Sequence, residues 1–430
     1  MQQQFVIVGA NLAGGTAAIT LREEGFDGEI VFIGAESQSP YERPPLSKEY
    51  LQGKKPFEDA LLKPVSYYPE HNIRTLFGVR ATRIDPQYQV VELENGDCVP
   101  YHKVLVATGV RNRPLRIPGA DLAGIYDLRT IADADCIRAE SRPNRRAVLV
   151  GMGFIGSEVA ASLRSLGVEI TIVEFFKTPL FRVLGEQVGR VFEAIHREQG
   201  VQMFFEESVA EFEGTRCVQH VVTSNGRRIE CDFVVVGVGV EPVTDVVAGS
   251  GVKVENGIVV DEYCQTNVDS IYAAGDVANH FHPVFGRLIR VEHWQNAIRQ
   301  GGAAARSMLG KREPYEDIHW FWSDQYDYNV QYAGFHSGWD KLVVRGNLDQ
   351  RNFVVFYMQD QRIAAAVAFN RGRDVQRAMR LIKARVEVDP AKLRDENTDL
   401  RSLMPGAKSV RTHQHHIDPH PVPRPGEETK

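Results

Sequence analysis

Ala147-Val148-Leu149-Val150 followed by Gly151-Met152-Gly153-Phe154-Ile155-Gly156 decides the fold of this chain, because the same construction also stands near its start. There, Phe5-Val6-Ile7-Val8 leads into Gly9-Ala10-Asn11-Leu12-Ala13-Gly14. An apolar strand, a glycine-rich turn and an apolar helix pattern together make a dinucleotide cradle. The glycines let the backbone turn sharply and approach a pyrophosphate, and the helix N-terminus offers unpaired N–H groups and partial positive charge. One such turn is a weak signal. Two in one chain imply two bound dinucleotides, with electrons passing between them.

Around the first turn, Gly9 and Gly14 occupy the first and third glycine positions, and Asn11 the second. Asn tolerates a positive φ better than most residues, so the turn is expected to survive the replacement. A helix is expected over residues 15–24, then a strand Ile30-Val31-Phe32-Ile33, then Glu36. An acid in this place accepts hydrogen bonds from a ribose. The bland alternative is a solvated loop carboxylate, and the context favours the ribose.

Around the second turn, Gly151, Gly153 and Gly156 match the glycine fingerprint fully, with Ile155 inside it. Helical spacing of Val159, Ala160, Leu163 and Leu166 predicts a helix over 157–166. The strand Glu169-Ile170-Thr171-Ile172-Val173 ends in Glu174, 23 residues after Gly151. That is the spacing of a ribose 2′-hydroxyl ligand. A carboxylate there repels a 2′-phosphate, so NADH is favoured over NADPH, with Lys177 a mild counter-signal. Phe233-Val234-Val235-Val236-Gly237-Val238-Gly239-Val240 reads as one buried strand, and Gly239 as a cofactor contact at its end.

Composition narrows the class. The chain has 430 residues, 43% hydrophobic and 25% charged, with net charge −6. That length suits two or three domains, and the charge argues against nucleic acid. No apolar run approaches the ~18–20 residues of a membrane span. The N-terminus enters a strand almost at once, without room for a signal peptide. The five cysteines, Cys98, Cys136, Cys217, Cys231 and Cys264, form no Cys-x-x-Cys pair. Reduced thiols and a cytoplasmic location are expected.

Tyr41-Glu42-Arg43-Pro44-Pro45-Leu46-Ser47-Lys48 resembles the signature of FAD-dependent NAD(H):ferredoxin reductases, of the putidaredoxin-reductase and Rieske-dioxygenase type, with apoptosis-inducing factors as relatives. The double proline fixes an extended loop, and Ser47 is expected to cap a short helix over 48–51. Val104-Leu105-Val106-Ala107-Thr108-Gly109 and Ile271-Tyr272-Ala273-Ala274-Gly275-Asp276 carry the resemblance further, as do Trp294 and the stretch Trp320-Phe321-Trp322-Ser323-Asp324-Gln325. The resemblance departs at Val243, where the family has Asn after Glu241-Pro242.

What the resemblance implies is specific. The fold is α/β with a glutathione-reductase-like architecture: two Rossmann-like dinucleotide-binding domains and a small α+β C-terminal domain. The FAD domain is discontinuous, over 1–118 and 243–319, with an NAD domain inserted over 119–242. The C-terminal domain spans 320–406, and a disordered tail spans 407–430. FAD contacts fall on Gly9, Asn11, Gly14, Glu36, Arg43, Lys48, Thr108, Gly109, Asp276, Trp294 and Trp322, and NAD contacts on Gly151, Gly153, Ile155, Gly156, Glu174 and Gly239. Lys48 lies beside the reactive edge of the flavin and pairs with Glu158, otherwise an ordinary first-turn helix acid. A fixed positive charge there stabilises the negative charge that hydride transfer places on the flavin.

The implied reaction takes electrons from NADH through FAD to a [2Fe–2S] ferredoxin, which serves a Rieske-type oxygenase or a cytochrome P450. No redox cysteine sits on the first helix or after the second strand, which speaks against a disulfide acceptor. Alternatives are an NADH oxidase, a disulfide or peroxide reductase, or a redox-controlled interaction protein like apoptosis-inducing factor. The C-terminal third alternates over 341–346, 353–357 and 363–368, which predicts a small antiparallel sheet, followed by a helix over 375–384. Arg371, Arg373, Arg377, Arg380, Lys383 and Arg385 make either a solvated helix face or a patch for an acidic partner. The tail histidines His413, His415, His416 and His420 are not expected to form a dedicated metal site without a folded second shell. Oligomeric state is left open.

Overall fold

The computed structural model describes residues 3–405. The expectations for the tail lie outside the described residues.

Each apolar run before a glycine turn becomes the central strand of a parallel sheet. Gln4–Val8 lies in a five-stranded sheet ordered Ile271–Ala273, Lys103–Val106, Gln4–Val8, Glu29–Gly34, Ile73–Phe77. Arg146–Val150 lies in a second one, ordered Gln202–Phe205, Glu169–Glu174, Arg146–Val150, Phe233–Val236, Ile125–Asp127. Parallel strands are covered on both faces, which is why these runs are continuously apolar rather than alternating. Alternate residues of Gln4–Val8 serve opposite cores. Phe5 and Ile7 pack on the helices Leu12–Glu23 and Trp294–Met308, while Val6 and Val8 meet Ile84, Val91 and Ile258.

The chain leaves the first unit and returns to it along adjacent paths, since Val110–Asn112 pairs antiparallel with Val240–Pro242. This corrects the single strand expected over 233–240. Phe233–Val236 stays in the parallel sheet, and the chain then turns through Gly239 at φ +104° into the separate strand Val240–Pro242. The short helix expected over 48–51 is also corrected. A 3-10 turn covers Pro44–Ser47 instead, and Lys48 leaves helical geometry at φ −127°, ψ −113°. The proline pair sets this turn early, and the Ser47 hydroxyl is used elsewhere. Other helices begin earlier than the periodicity suggested, at Leu12, Phe154 and Gly372, because the glycine turns and their neighbours already belong to the first helical turn.

The C-terminal sheet is antiparallel as expected but larger, ordered Trp320–Gln325, Tyr328–Gly334, Arg362–Phe369, Asn352–Gln359, Lys341–Asn347. Helix Gly372–Lys383 buries Val375, Ala378, Leu381 and Ile382 against it. The basic cluster on this helix is partly neutralised. Arg371 and Arg377 pair with Asp374, and Lys383 pairs with Glu316. The sheet docks on the second unit through His196, in helix Phe181–Glu198. Its Nε2 lies 3.0 Å from Gln325 Oε1 and its Nδ1 lies 3.1 Å from the Tyr326 hydroxyl. Burial pulls the His196 pKa down to about 4, so the ring stays neutral at this contact.

Arg345 latches the end of the fold. Its guanidinium is buried and donates to the carbonyls of Leu393, Asp395, Glu396 and Thr398 at 3.2, 2.7, 3.1 and 2.9 Å. With Asp374 still paired to Arg371 and Arg377, Arg345→Met leaves these carbonyls without their shared donor. It is expected to lower stability by about 3 kcal/mol. Urea unfolding and limited proteolysis check this, with first cleavage expected between residues 390 and 404. An unchanged midpoint and unchanged resistance would remove the latch.

Candidate active site

Both glycine turns rest against the next parallel strand, and that contact excludes any side chain. Gly9 has φ +115°, and a Cβ there would sit 2.2 Å from the Ala107 carbonyl oxygen. Gly151 has φ +93°, and its Cβ would sit 2.5 Å from that of Gly237. At the third glycines, a Cβ on Gly14 would lie 2.1 Å from the Gly9 oxygen, and one on Gly156 would lie 2.4 Å from the Gly151 oxygen. At Gly153, the helix N-cap, a Cβ meets nothing within 4 Å. The glycine there leaves open room over the helix N-terminus, which suits a pyrophosphate.

Asn11 has a different role from the one expected. It is the N-cap of Leu12–Glu23 at φ −104°, so no left-handed backbone is required. Its Oδ1 accepts a 2.5 Å hydrogen bond from Arg43 Nη2. The same nitrogen reaches Glu36 Oε1 at 2.7 Å, the Tyr41 hydroxyl donates to Glu36 Oε2 at 2.5 Å, and Arg43 Nη1 donates to the Arg129 carbonyl. Arg129 Nη2 in turn stands 3.4 Å from Asp276 Oδ2 and borders Gly109. Burial and the neighbouring Arg43 hold the Arg129 guanidinium below its ordinary range. Two guanidiniums, a helix N-terminus and the carboxylates Glu36 and Asp276 thus form one linked cluster. This set fits a dinucleotide, with cations for its phosphates and acids for hydroxyls. Sequence reasoning found every member except Arg129, which precedes the cap of helix Ile131–Glu140 and carries no local signal.

Thr108 and Gly109 are tied down by Val243. Thr108 Oγ1 donates to the Val243 carbonyl at 2.6 Å, and the Val243 N–H donates to the Gly109 carbonyl at 3.0 Å. Both contacts are main-chain on the Val243 side, so the replacement of Asn at this position leaves them intact. Trp294, at the start of helix Trp294–Met308, meets Trp322 edge-on at 5.5 Å, and Trp320 stacks on Trp322 at 5.5 Å. The three tryptophans line a groove of about 400 Å³.

In the second cradle, Ile155 is half exposed at the helix start and Gly239 stands beside Arg113. Glu174 is buried, and its two oxygens accept from the N–H groups of Met152 at 2.5 Å and Phe176 at 2.8 Å. These bonds fix its carboxylate beside the glycine turn.

Glu158 joins the two units. It lies on helix Phe154–Ser165, is 4% exposed, and receives three donors from distant chain segments: Ser47 Oγ at 2.5 Å, Ser323 Oγ at 2.7 Å and Lys48 Nζ at 2.9 Å. The pairing of Lys48 with Glu158 is therefore present. The two serines complete the shell of a carboxylate that would be costly to bury unpaired. Ser47 had been read as a helix cap, and Ser323 had no role despite lying in a quoted motif.

These features define a two-dinucleotide oxidoreductase. The chain belongs to the pyridine nucleotide-disulphide oxidoreductase family, whose model matches residues 3–301, and a reductase C-terminal domain matches residues 320–404. It is 37% identical to rhodocoxin reductase of Rhodococcus erythropolis over 96% of both chains. It is 38% identical to the ferredoxin–NAD(+) reductase component of the anthranilate 1,2-dioxygenase system of Burkholderia cepacia, over 93% of this chain and 99% of that protein. Among solved structures, the covalent putidaredoxin reductase–putidaredoxin complex superposes with a TM-score of 0.90 at 35% identity, over 93% of this chain and 98% of that one. The chain is an oxidoreductase that uses FAD and NAD(H).

Ser323 positions Glu158 rather than touching a reacting atom. Ser323→Ala removes one hydrogen bond to a charged group, and flavin reduction by NADH is expected to slow about 5-fold. Ser323→Thr should restore the rate. Stopped-flow absorbance at saturating NADH, with the flavin midpoint potential measured alongside, separates this from a folding defect. An unchanged rate and potential would discard the role.

Proposed function

We propose that this chain is an NADH:ferredoxin reductase, acting in the cytoplasm, that delivers electrons to a [2Fe–2S] ferredoxin serving a Rieske-type oxygenase or a cytochrome P450. The observation that carries the reading is the Lys48–Glu158 ion pair across the junction of the two cradles.

In this reading the first cradle holds FAD. Gly9, Asn11 and Gly14 give the pyrophosphate access to the helix N-terminus. Arg43 and Arg129 supply cations, Glu36 and Asp276 accept hydroxyl hydrogen bonds, Thr108 and Gly109 form the strand-end floor, and Trp294 and Trp322 shield the ring system. The second cradle holds NADH through Gly151, Gly153, Ile155, Gly156 and Gly239, with Glu174 disfavouring a 2′-phosphate. FAD supplies the ability to accept a hydride and release single electrons.

The protein's own contribution is electrostatic and geometric. Glu158 orients Lys48 and fixes its ammonium at the junction, where it meets negative charge as that charge develops. Ser47 and Ser323 hold the Glu158 carboxylate still. The cysteines support a non-disulfide acceptor. All five are free thiols, Cys231 and Cys264 are buried, and burial raises the Cys231 thiol to about 12, far from reactive thiolate character. Cys98, Cys136 and Cys217 are exposed, and none belongs to the Glu158 cluster.

Anaerobic rapid mixing tests the reading. The holoenzyme is mixed with NADH, and in parallel with NADPH, then with a [2Fe–2S] ferredoxin. Fast bleaching by NADH and fast reoxidation by the ferredoxin are expected, with NADPH much slower. Lys48→Ala is expected to slow bleaching by on the order of 10–100-fold. Bleaching without reoxidation by any [2Fe–2S] ferredoxin would overturn the acceptor assignment, and an unchanged Lys48→Ala rate would overturn the role of the lysine.

A further inference from the structure

Three buried histidines meet where the first unit touches the C-terminal sheet. His280 and His282 lie two residues apart on the strand Ala278–His282, so both project from one face. That strand pairs antiparallel with Arg287–Arg290, placing His280 opposite Ile289 and His282 opposite Arg287. His319 immediately precedes the strand Trp320–Gln325, and its carbonyl accepts the Gly334 N–H at 2.8 Å. The three residues are 1%, 0% and 0% exposed. Their ring centroids are 5.1–5.5 Å apart, and one nitrogen of each lies within 4.8 Å of the others.

The ring nitrogens are unpartnered to a degree rare for buried polar atoms. Among the described residues, neither nitrogen of His280, neither nitrogen of His319, nor Nδ1 of His282 has a hydrogen-bond partner. The Ile289 carbonyl across the strand pair favours a protonated His280 without reaching hydrogen-bond geometry. The exception is His282 Nε2, 3.1 Å from the Asp317 carbonyl. A second-nitrogen bond to a backbone carbonyl is the arrangement that orients a metal-ligating imidazole and leaves its other nitrogen free to bind.

We propose that His280, His282 and His319 form a binding site for one divalent first-row metal ion of the zinc type, clamping the first unit to the C-terminal sheet. Three imidazoles suit zinc, nickel or copper rather than magnesium or calcium. Tetrahedral ligation at 2.0–2.1 Å requires ligand nitrogens about 3.4 Å apart, so the rings close by small side-chain rotations. Burial keeps all three rings neutral, which is the ligating form. Each is held below the ordinary imidazole range by burial, with neighbouring rings adding to the effect at His280 and His319. The carboxylates of Glu316 and Asp317 lie on the same segment and favour positive charge at His282. The next ring, His293, is 6.5 Å from His319 and packs on Phe321 at 4.5 Å. The site is independent of the dinucleotide reading, because none of its three ligands belongs to either cradle.

The test uses full-length holoenzyme in which His413, His415, His416 and His420 are replaced by Ala, so that the tail cannot bind metal. Titration with Co²⁺ is expected to give one equivalent bound, with visible d–d bands displaced by Zn²⁺. Zn²⁺ at a hundredfold excess over its Kd is expected to raise Tm by about 5 °C. Both effects should vanish in His319→Leu and in His280→Leu added to that background. If these variants fail to fold, X-ray absorption of the Zn²⁺-loaded tail variant still decides, because about three imidazole nitrogens are expected around the metal. No stoichiometric binding by the tail variant, binding that survives both Leu variants, or an absorption spectrum without imidazole would overturn the site.

Discussion

The Glu158 carboxylate is the interaction on which the arrangement of this molecule turns. Burying a carboxylate is unfavourable unless its charge and lone pairs are met. Here they are met by three groups from two distant places in the chain: Ser47 and Lys48 after the first cradle, and Ser323 in the C-terminal sheet. Glu158 itself sits in the first turns of the helix that opens the second cradle. The three parts of the protein therefore share one electrostatic knot. The same knot places a lysine ammonium from the loop after the first cradle against the helix that opens the second.

The C-terminal sheet does more than cover a surface. It provides Ser323 to that knot, Trp320 and Trp322 to the aromatic groove, and Gln325 and Tyr326 to the neutral His196 of the second unit. All five residues lie within or just beyond its first strand, Trp320–Gln325. It is an edge strand, and Ser323 and Gln325 on one side of it reach Glu158 and His196 of the second unit. Its pattern Trp-Phe-Trp-Ser-Asp-Gln lacks the strict alternation of a half-solvated strand, because both faces have partners.

Where expectation and structure differ, the cause is mostly a backbone constraint overriding a local preference. Asn11 was expected to tolerate a left-handed turn, yet it caps a helix in extended geometry and uses its side chain on Arg43. Ser47 was expected to cap a helix, yet its hydroxyl is captured by a buried carboxylate 111 residues away. The run from Phe233 to Val240 looked like one strand, but the glycine pair at 237 and 239 breaks it so that the return path can pair with the outgoing one. Val243 departs from the family pattern without consequence for its neighbours, since its contacts are made by the main chain.

The amino-acid sequence by itself determined the two cradles, the parallel sheets around them, the lysine and its glutamate partner, and the C-terminal antiparallel sheet. The cradles and sheets follow from periodicity and from glycine positions, where a Cβ would strike a backbone oxygen within a few residues or on the adjacent strand, whereas the lysine–glutamate pair came from the family resemblance. Only the tertiary structure decided that Arg129 joins Arg43 at the first cradle, that Ser323 completes the shell of Glu158, and that His280 and His282 meet His319. Such groups are brought together across 37 to 165 residues of chain. Their meeting depends on how sheets and helices pack against one another, and nothing in the local pattern of any one segment specifies which distant polar side chain will satisfy a buried partner.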